Sequence, residues 1–293
     1  MALVRDADGH TFIEHANGQR THYISDDFTD PWQPRETVLI QHGFCRTAAH
    51  WYHWVPALSR AYRVIRRDLR GHGLSSYPSS IRGARGEYDY SLDCLLEEIL
   101  DLLNCLGIDK VHFLGESTSG MLAEALAAKH PERLHSITVC SSPTHLPPSA
   151  LNLFSFGHDD WPTACRTLGS RGWAEALSRL PGTVASEDED YVSWWTEQVS
   201  VSDGEGLAGY ASFLSTMDAR PFLSQIKIPM LILAPKHSAV MTKAQMEDVA
   251  SQVPGAHLEL IDAPGHEIFV SGASQCQAAV LKFWTRVGSE ASI

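Results

Sequence analysis

The residues best placed to do chemistry lie in the run Val111-His112-Phe113-Leu114-Gly115-Glu116-Ser117-Thr118-Ser119-Gly120. An apolar stretch leads straight into a serine with a small residue two positions away on either side, Gly115 and Ser119. That spacing fits a sharp strand-to-helix turn whose serine takes unfavourable backbone angles, leaving no room for bulkier neighbours. Such a turn lifts the Ser117 hydroxyl above the sheet edge and aims the next backbone amide, that of Thr118, at a reacting carbonyl oxygen. A serine hydroxyl is a poor nucleophile near neutral pH, so an imidazole must take its proton and later hand it to the leaving group. The chemistry predicted is acyl transfer through Ser117, with a base among the fifteen histidines. Unperturbed, that base would titrate near pH ~6.5. Glu116 puts a carboxylate at a half-buried position, where it either tunes the site or pairs with a basic group.

The elements around this turn alternate. Val38-Leu39-Ile40 is a fully apolar run that reads as a strand buried on both faces. The runs 62–68, 111–114, 134–140, 230–233 and 257–261 read as further strands, and two short strand candidates precede them all around Thr11–Glu14 and His22–Ser25. Between them lie helix-period stretches. Ser91 caps the clearest one, with Leu92, Leu95, Leu96, Ile99, Leu102, Leu103 and Leu106 on one face and Gly107 as the stop. Strand, helix, strand, helix implies a mostly parallel sheet with helices on both faces, an α/β fold. From Pro143 the rhythm breaks into a proline- and tryptophan-rich stretch that reads as helical. The expected organisation is therefore a core formed by 1–142 and 221–293, interrupted by a helical cap insertion at 143–220.

With Gln41-His42-Gly43-Phe44 directly after a central strand, the chain resembles the α/β-hydrolase family, in its serine esterase and lactonase branch. The resemblance covers nearly the whole length outside the insertion. It implies that the backbone amide of Phe44 joins that of Thr118 in an oxyanion hole. It also implies that His266, in Asp262-Ala263-Pro264-Gly265-His266 after the last strand, is the general base. The turn Asp68-Leu69-Arg70-Gly71-His72-Gly73-Leu74-Ser75 looks like the family's D-x-x-G-x-G-x-S turn. There Asp68 is expected to satisfy local amides, and His72 to be structural.

One family feature is missing. The third member of the triad, an Asp, belongs a few residues beyond the strand at 230–233, where this chain reads Ala234-Pro235-Lys236-His237-Ser238. The alternative slot, Cys140-Ser141-Ser142-Pro143, also lacks a carboxylate. The acid stays unassigned: Ser238 is in the usual slot, Asp262 is close in sequence to His266 but suited to capping a turn, and a Ser–His pair with His266 held by a backbone carbonyl or water is the alternative. Trp161, Trp173, Trp194, Trp195 and Phe213 of the insertion are expected above the serine. Trp51, Trp54 and Val240 are expected to border the substrate.

The resemblance implies hydrolysis of a small, largely apolar carboxylic ester or lactone. Amide, carbon–carbon and thioester cleavage use the same machinery. Outside hydrolysis, a cofactor-independent oxygenase or lyase with His266 as base and a non-catalytic ligand receptor remain open. A formal charge of −12 argues against nucleic acid and anionic membranes as partners. The six cysteines show no C-x-x-C pair, and no metal-ligand spacing appears, so neither disulfide, metal nor cofactor is expected. The polar N-terminal MALVRDADGH does not suit a signal peptide, which points to the cytoplasm. Oligomeric state is not legible.

Overall fold

The computed structural model describes residues 1–78, 88–237 and 243–290. Nine strands form one sheet: β1 (Ala2–Arg5), β2 (Thr11–Glu14), β3 (Arg20–Asp26), β4 (Glu36–Gln41), β5 (Tyr62–Arg67), β6 (Val111–Glu116), β7 (Leu134–Cys140), β8 (Met230–His237) and β9 (His257–Pro264). Their spatial order is β1-β2-β3-β5-β4-β6-β7-β8-β9. The first three strands pair antiparallel, as do β3 and β5, and every later pairing is parallel. The expected mostly parallel sheet is observed. β2 and β3 fall on the strand candidates around Thr11–Glu14 and His22–Ser25, whereas β1 has no counterpart in the sequence reading, because Ala-Leu-Val-Arg is too short and lacks the alternation that marks a half-buried strand.

The helices are α1 (Val55–Leu58), α2 (Leu92–Cys105), α3 (Thr118–Lys129), α4 (Pro148–Phe154), α5 (Trp161–Ser178), α6 (Glu189–Ser200), α7 (Gly204–Leu214), α8 (Arg220–Leu223), α9 (Lys243–Gln252), α10 (Ile268–Ser271) and α11 (Ala273–Glu290). Four of them, α4 to α7, lie between β7 and α8, where the strand rhythm breaks. As the sequence predicts, the Ser91 hydroxyl caps α2 by accepting the Cys94 N–H. Among the described residues no helix is long and apolar enough to cross a membrane.

Central strands explain the buried site. β6 is buried at every position, between β4 and β7, because helices cover both faces. On one face Leu96, Ile99 and Leu103 of α2 meet Phe113 and the small residues of α3. On the other, Trp51, Trp54, Phe269 and Trp284 pack on Ile40 and Leu114. A third apolar cluster joins Phe44 and Leu122 to Trp161, Trp173, Trp195 and Tyr210 of the helical segment. The site sits at the edge of this third cluster.

Candidate active site

The run after β6 folds as its spacing requires. Ser117 adopts φ 52° and ψ −127° and stands immediately before α3. This is a left-handed conformation that costs an L-residue energy and persists only when its surroundings enforce it. The Ser117 N–H donates to the Cys140 carbonyl at 2.8 Å, and the Gly120 N–H donates to the Ser117 carbonyl at 2.9 Å. A Cβ at Gly115 would overlap the carbonyl of Ser119, so the small residue is a steric necessity.

His266 arrives from the far edge of the sheet. It follows β9 through Gly265, at φ 76°, and its N–H donates to the Gly182 carbonyl at 2.9 Å. Its Nε2 lies 2.9 Å from the Ser117 Oγ. Burial pushes its pKa down to about 3, and the neighbouring Arg46 guanidinium adds to the effect. The ring is therefore neutral at any physiological pH and able to accept a proton. Its Nδ1 is buried and has no hydrogen-bond partner among the described residues.

The acid is not where the sequence offered it. The Asp262 carboxylate pairs with Lys236 Nζ at 2.9 Å and its side chain is 67% exposed, so it faces the surface. Alternation along β9 puts it on the outer side of the strand. This corrects Asp262 as a candidate third member. Ser238 and Val240 lie outside the described residues. The alternative slot holds Ser141, whose hydroxyl is buried and carries no charge.

The structure brings Phe44 and Thr118 together beside Ser117. The Phe44 N–H donates to the Thr118 Oγ1 at 3.2 Å. Thr118 is the first residue of α3, so its own N–H has no acceptor within the helix, and the helix N-terminus favours negative charge there. Phe44, Ser117, Thr118 and His266 all line one cavity of about 730 Å³. Its upper wall comes from the helical segment, through Leu146, Leu153, Phe154, Trp161, Trp173 and Leu177. Trp51 and Trp54 do not line it. Trp51 stacks on Phe269 at 4.3 Å, and Trp54 Nε1 donates to the Phe269 carbonyl at 2.7 Å. They belong to the core under the His266 loop, which corrects their assignment to the pocket.

A buried charge network was not read from the sequence. The Glu116 Oε2 accepts the Gly43 N–H at 2.6 Å. Its Oε1 lies 3.9 Å from Arg46 Nε and 3.8 Å from His266 Nε2. Burial raises the Glu116 pKa against the opposing pull of Arg46. Burial would lower the Arg46 pKa, but Glu116 and Glu267 together raise it. Glu116 is thus packed beside a basic group and close to the base. Arg46 and Glu267 directly follow Phe44-Cys45 and His266, so opposite charges beside two predicted site segments were the available signal.

The D-x-x-G-x-G turn is structural, as expected. Asp68 accepts the N–H groups of Ala48 at 2.7 Å and Leu74 at 3.0 Å and meets His22 Nδ1 at 2.8 Å. His72 is buried with its Nδ1 on the Arg70 carbonyl. Among the described residues no group of three His, Cys, Asp or Glu side chains is placed to hold a metal ion.

A family model described as the alpha/beta hydrolase fold matches residues 36–273. The chain belongs to the alpha/beta hydrolase family. Among curated alpha/beta hydrolase relatives, a pimeloyl-[acyl-carrier protein] methyl ester esterase of Aeromonas hydrophila is 28% identical over 81% of this chain and 91% of that protein. The 3-oxoadipate enol-lactonase 1 of Acinetobacter baylyi is 28% identical over 73% of this chain and 75% of that protein. Among solved structures, the enol-lactonase from Burkholderia xenovorans LB400 superposes with a TM-score of 0.78 at 24% identity, covering 94% of this chain and 99% of its own. That likeness establishes the fold. The named relatives support a hydrolase on it.

Proposed function

We propose that this alpha/beta hydrolase is a serine hydrolase that cleaves a largely apolar carboxylic ester or lactone through an acyl-enzyme on Ser117, with His266 as general base. The observation that carries the reading is the 2.9 Å approach of His266 Nε2 to the hydroxyl of the strained Ser117. Ser117 Oγ attacks the carbonyl carbon while its proton passes to Nε2. The carbonyl oxygen becomes an oxyanion, held by the N–H groups of Phe44 and Thr118. The Phe44 N–H exchanges the Thr118 hydroxyl for that stronger, charged acceptor. Protonated His266 then gives its proton to the departing alkoxide oxygen. Water attacks the acyl-enzyme, again losing its proton to Nε2, and as the acid leaves that proton passes from Nε2 to Ser117 Oγ, restoring both groups. The apolar cavity walls favour an uncharged substrate body, and the esterase and enol-lactonase among the relatives favour carboxylic esters and lactones.

The test is a fluorophosphonate probe read by intact mass, beside a panel of esters and lactones. Labelling at Ser117, with turnover of the panel lost in Ser117→Ala, supports the reading. Turnover that survives in Ser117→Ala, or ligand binding without labelling, overturns it.

A further inference from the structure

Glu267 is the most heavily engaged carboxylate near the site, and none of its partners is a reacting atom. It is fully buried. Its Oε1 accepts Arg46 Nε at 2.8 Å and Trp195 Nε1 at 3.0 Å, with Arg46 Nη2 at 2.7 Å. Its Oε2 accepts the Ala185 N–H at 2.7 Å and the Tyr191 hydroxyl at 3.1 Å. Three of these donors, Ala185, Tyr191 and Trp195, belong to the helical segment between β7 and β8. The fourth, Arg46, also donates from Nη1 to the Phe44 carbonyl at 3.1 Å. One residue earlier, His266 donates its N–H to Gly182 of the same helical segment at 2.9 Å.

We propose that Glu267 is a positioning residue that latches the 182–195 stretch onto the loop carrying His266, and through Arg46 onto the carbonyl of Phe44, the residue whose N–H faces the site. The latch sets the base and one oxyanion donor in a common frame. A carboxylate suits this place because it accepts from several donors at once, which an amide cannot do without turning its own NH₂ toward them. The base ring has no described acceptor at Nδ1, so its direction depends on the backbone that the latch holds. The proposal rests on His266 being the general base.

Two measurements on the full chain test it, using Glu267→Gln and Tyr191→Phe. Amide hydrogen exchange needs no turnover. Loosening the latch speeds exchange in 182–191 and 264–270 together in both variants. Change in one segment alone, or in neither, overturns the proposal. The second measurement is kcat per fluorophosphonate-titrated site on a short ester, which counts only competent molecules. Misplacing the base lowers kcat per site by about tenfold or more in Glu267→Gln, with KM within about twofold. A purely structural role lowers the number of titratable sites and leaves kcat per site unchanged, and that result also overturns the proposal. If Glu267→Gln does not fold, Tyr191→Phe decides both measurements, since it removes a single bond. Failure of the wild type to label at Ser117 overturns the functional reading instead, while exchange still judges the latch.

Discussion

Gly43 and Glu116 touch across the C-terminal ends of two neighbouring strands. The Gly43 N–H donates to the Glu116 Oε2 at 2.6 Å, and a Cβ added at Gly43 would lie 2.7 Å from that oxygen and 2.8 Å from the Ser117 Cβ. β4 and β6 pair in register at Gln41 and Gly115, so the loop that follows β4 is driven against the residue before the serine. The glycine serves this close approach and not a left-handed backbone. Glu116 in turn holds the peptide leading into Phe44.

Gly43→Ala should therefore displace the Phe44 amide from the serine. The expected result is a loss of about 100-fold in kcat/KM, with about 1–3 kcal/mol of destabilisation from overpacking. Ester hydrolysis and chemical denaturation read the two effects separately. Activity within threefold of wild type would mean that the amide is not part of the site.

The pH profile follows from the depressed pKa of His266. Burial, with Arg46 behind it, holds the ring at about 3, below the unperturbed ~6.5 assumed from sequence. The base acts in its neutral form, so kcat/KM should stay level from about pH 8 to about pH 5 and fall only as pH approaches the shifted value. A half-point near 6.5 would contradict the depressed value. Stability runs in the same sense. Buried His42, at about 4, and His72 and His266, each at about 3, resist protons that the unfolded chain takes up below about pH 6.5. Stability against denaturant should thus decline as pH falls below that point, and rates must be taken before unfolding sets in.

Asp262→Asn separates the surface ion pair from a role in catalysis. Loss of a triad carboxylate in a serine protease costs roughly 10⁴-fold in turnover. Because Asp262 pairs with Lys236 at the exposed face, the substitution should leave kcat/KM within about twofold and stability within about 1 kcal/mol. A loss beyond tenfold would restore Asp262 as the hidden acid.

Two tryptophan truncations should behave differently. Trp51→Ala removes a fully buried ring stacked on Phe269 and should cost about 3–5 kcal/mol without changing preference among acyl groups. Trp161→Ala also removes a buried ring, but one that borders the cavity and meets Phe44 at 4.4 Å. It should shift preference toward bulkier acyl groups. Denaturation midpoints and kcat/KM across an acyl series distinguish them, and equal selectivity in both variants would refute the cavity assignment.

The sequence alone determined the central strands and the serine turn, and the family resemblance pointed to His266. Apolar strand runs such as 111–114 and 134–140 are local patterns, set by burial on both faces of a sheet, and they reappear in β6 and β7. The small residues around Ser117 are equally local, because the strain of that turn is confined to a few bonds. His266 was reachable through its Gly-His pair after the last strand. What only the tertiary structure decided involves pairs far apart in the chain. Trp51 and Trp54 carry the same apolar signal as Trp161 and Trp173, and hydrophobicity does not say which face of which element covers them. The network of Glu116, Arg46 and Glu267 joins residues up to 221 positions apart; Arg46 and Glu267 by themselves look like solvated surface residues, and the half-buried place of Glu116 does not name its partners. Their burial is tolerable only because opposite charges arrive together, and that convergence exists only once the sheet has brought the ends of β4, β6 and β9 to one edge.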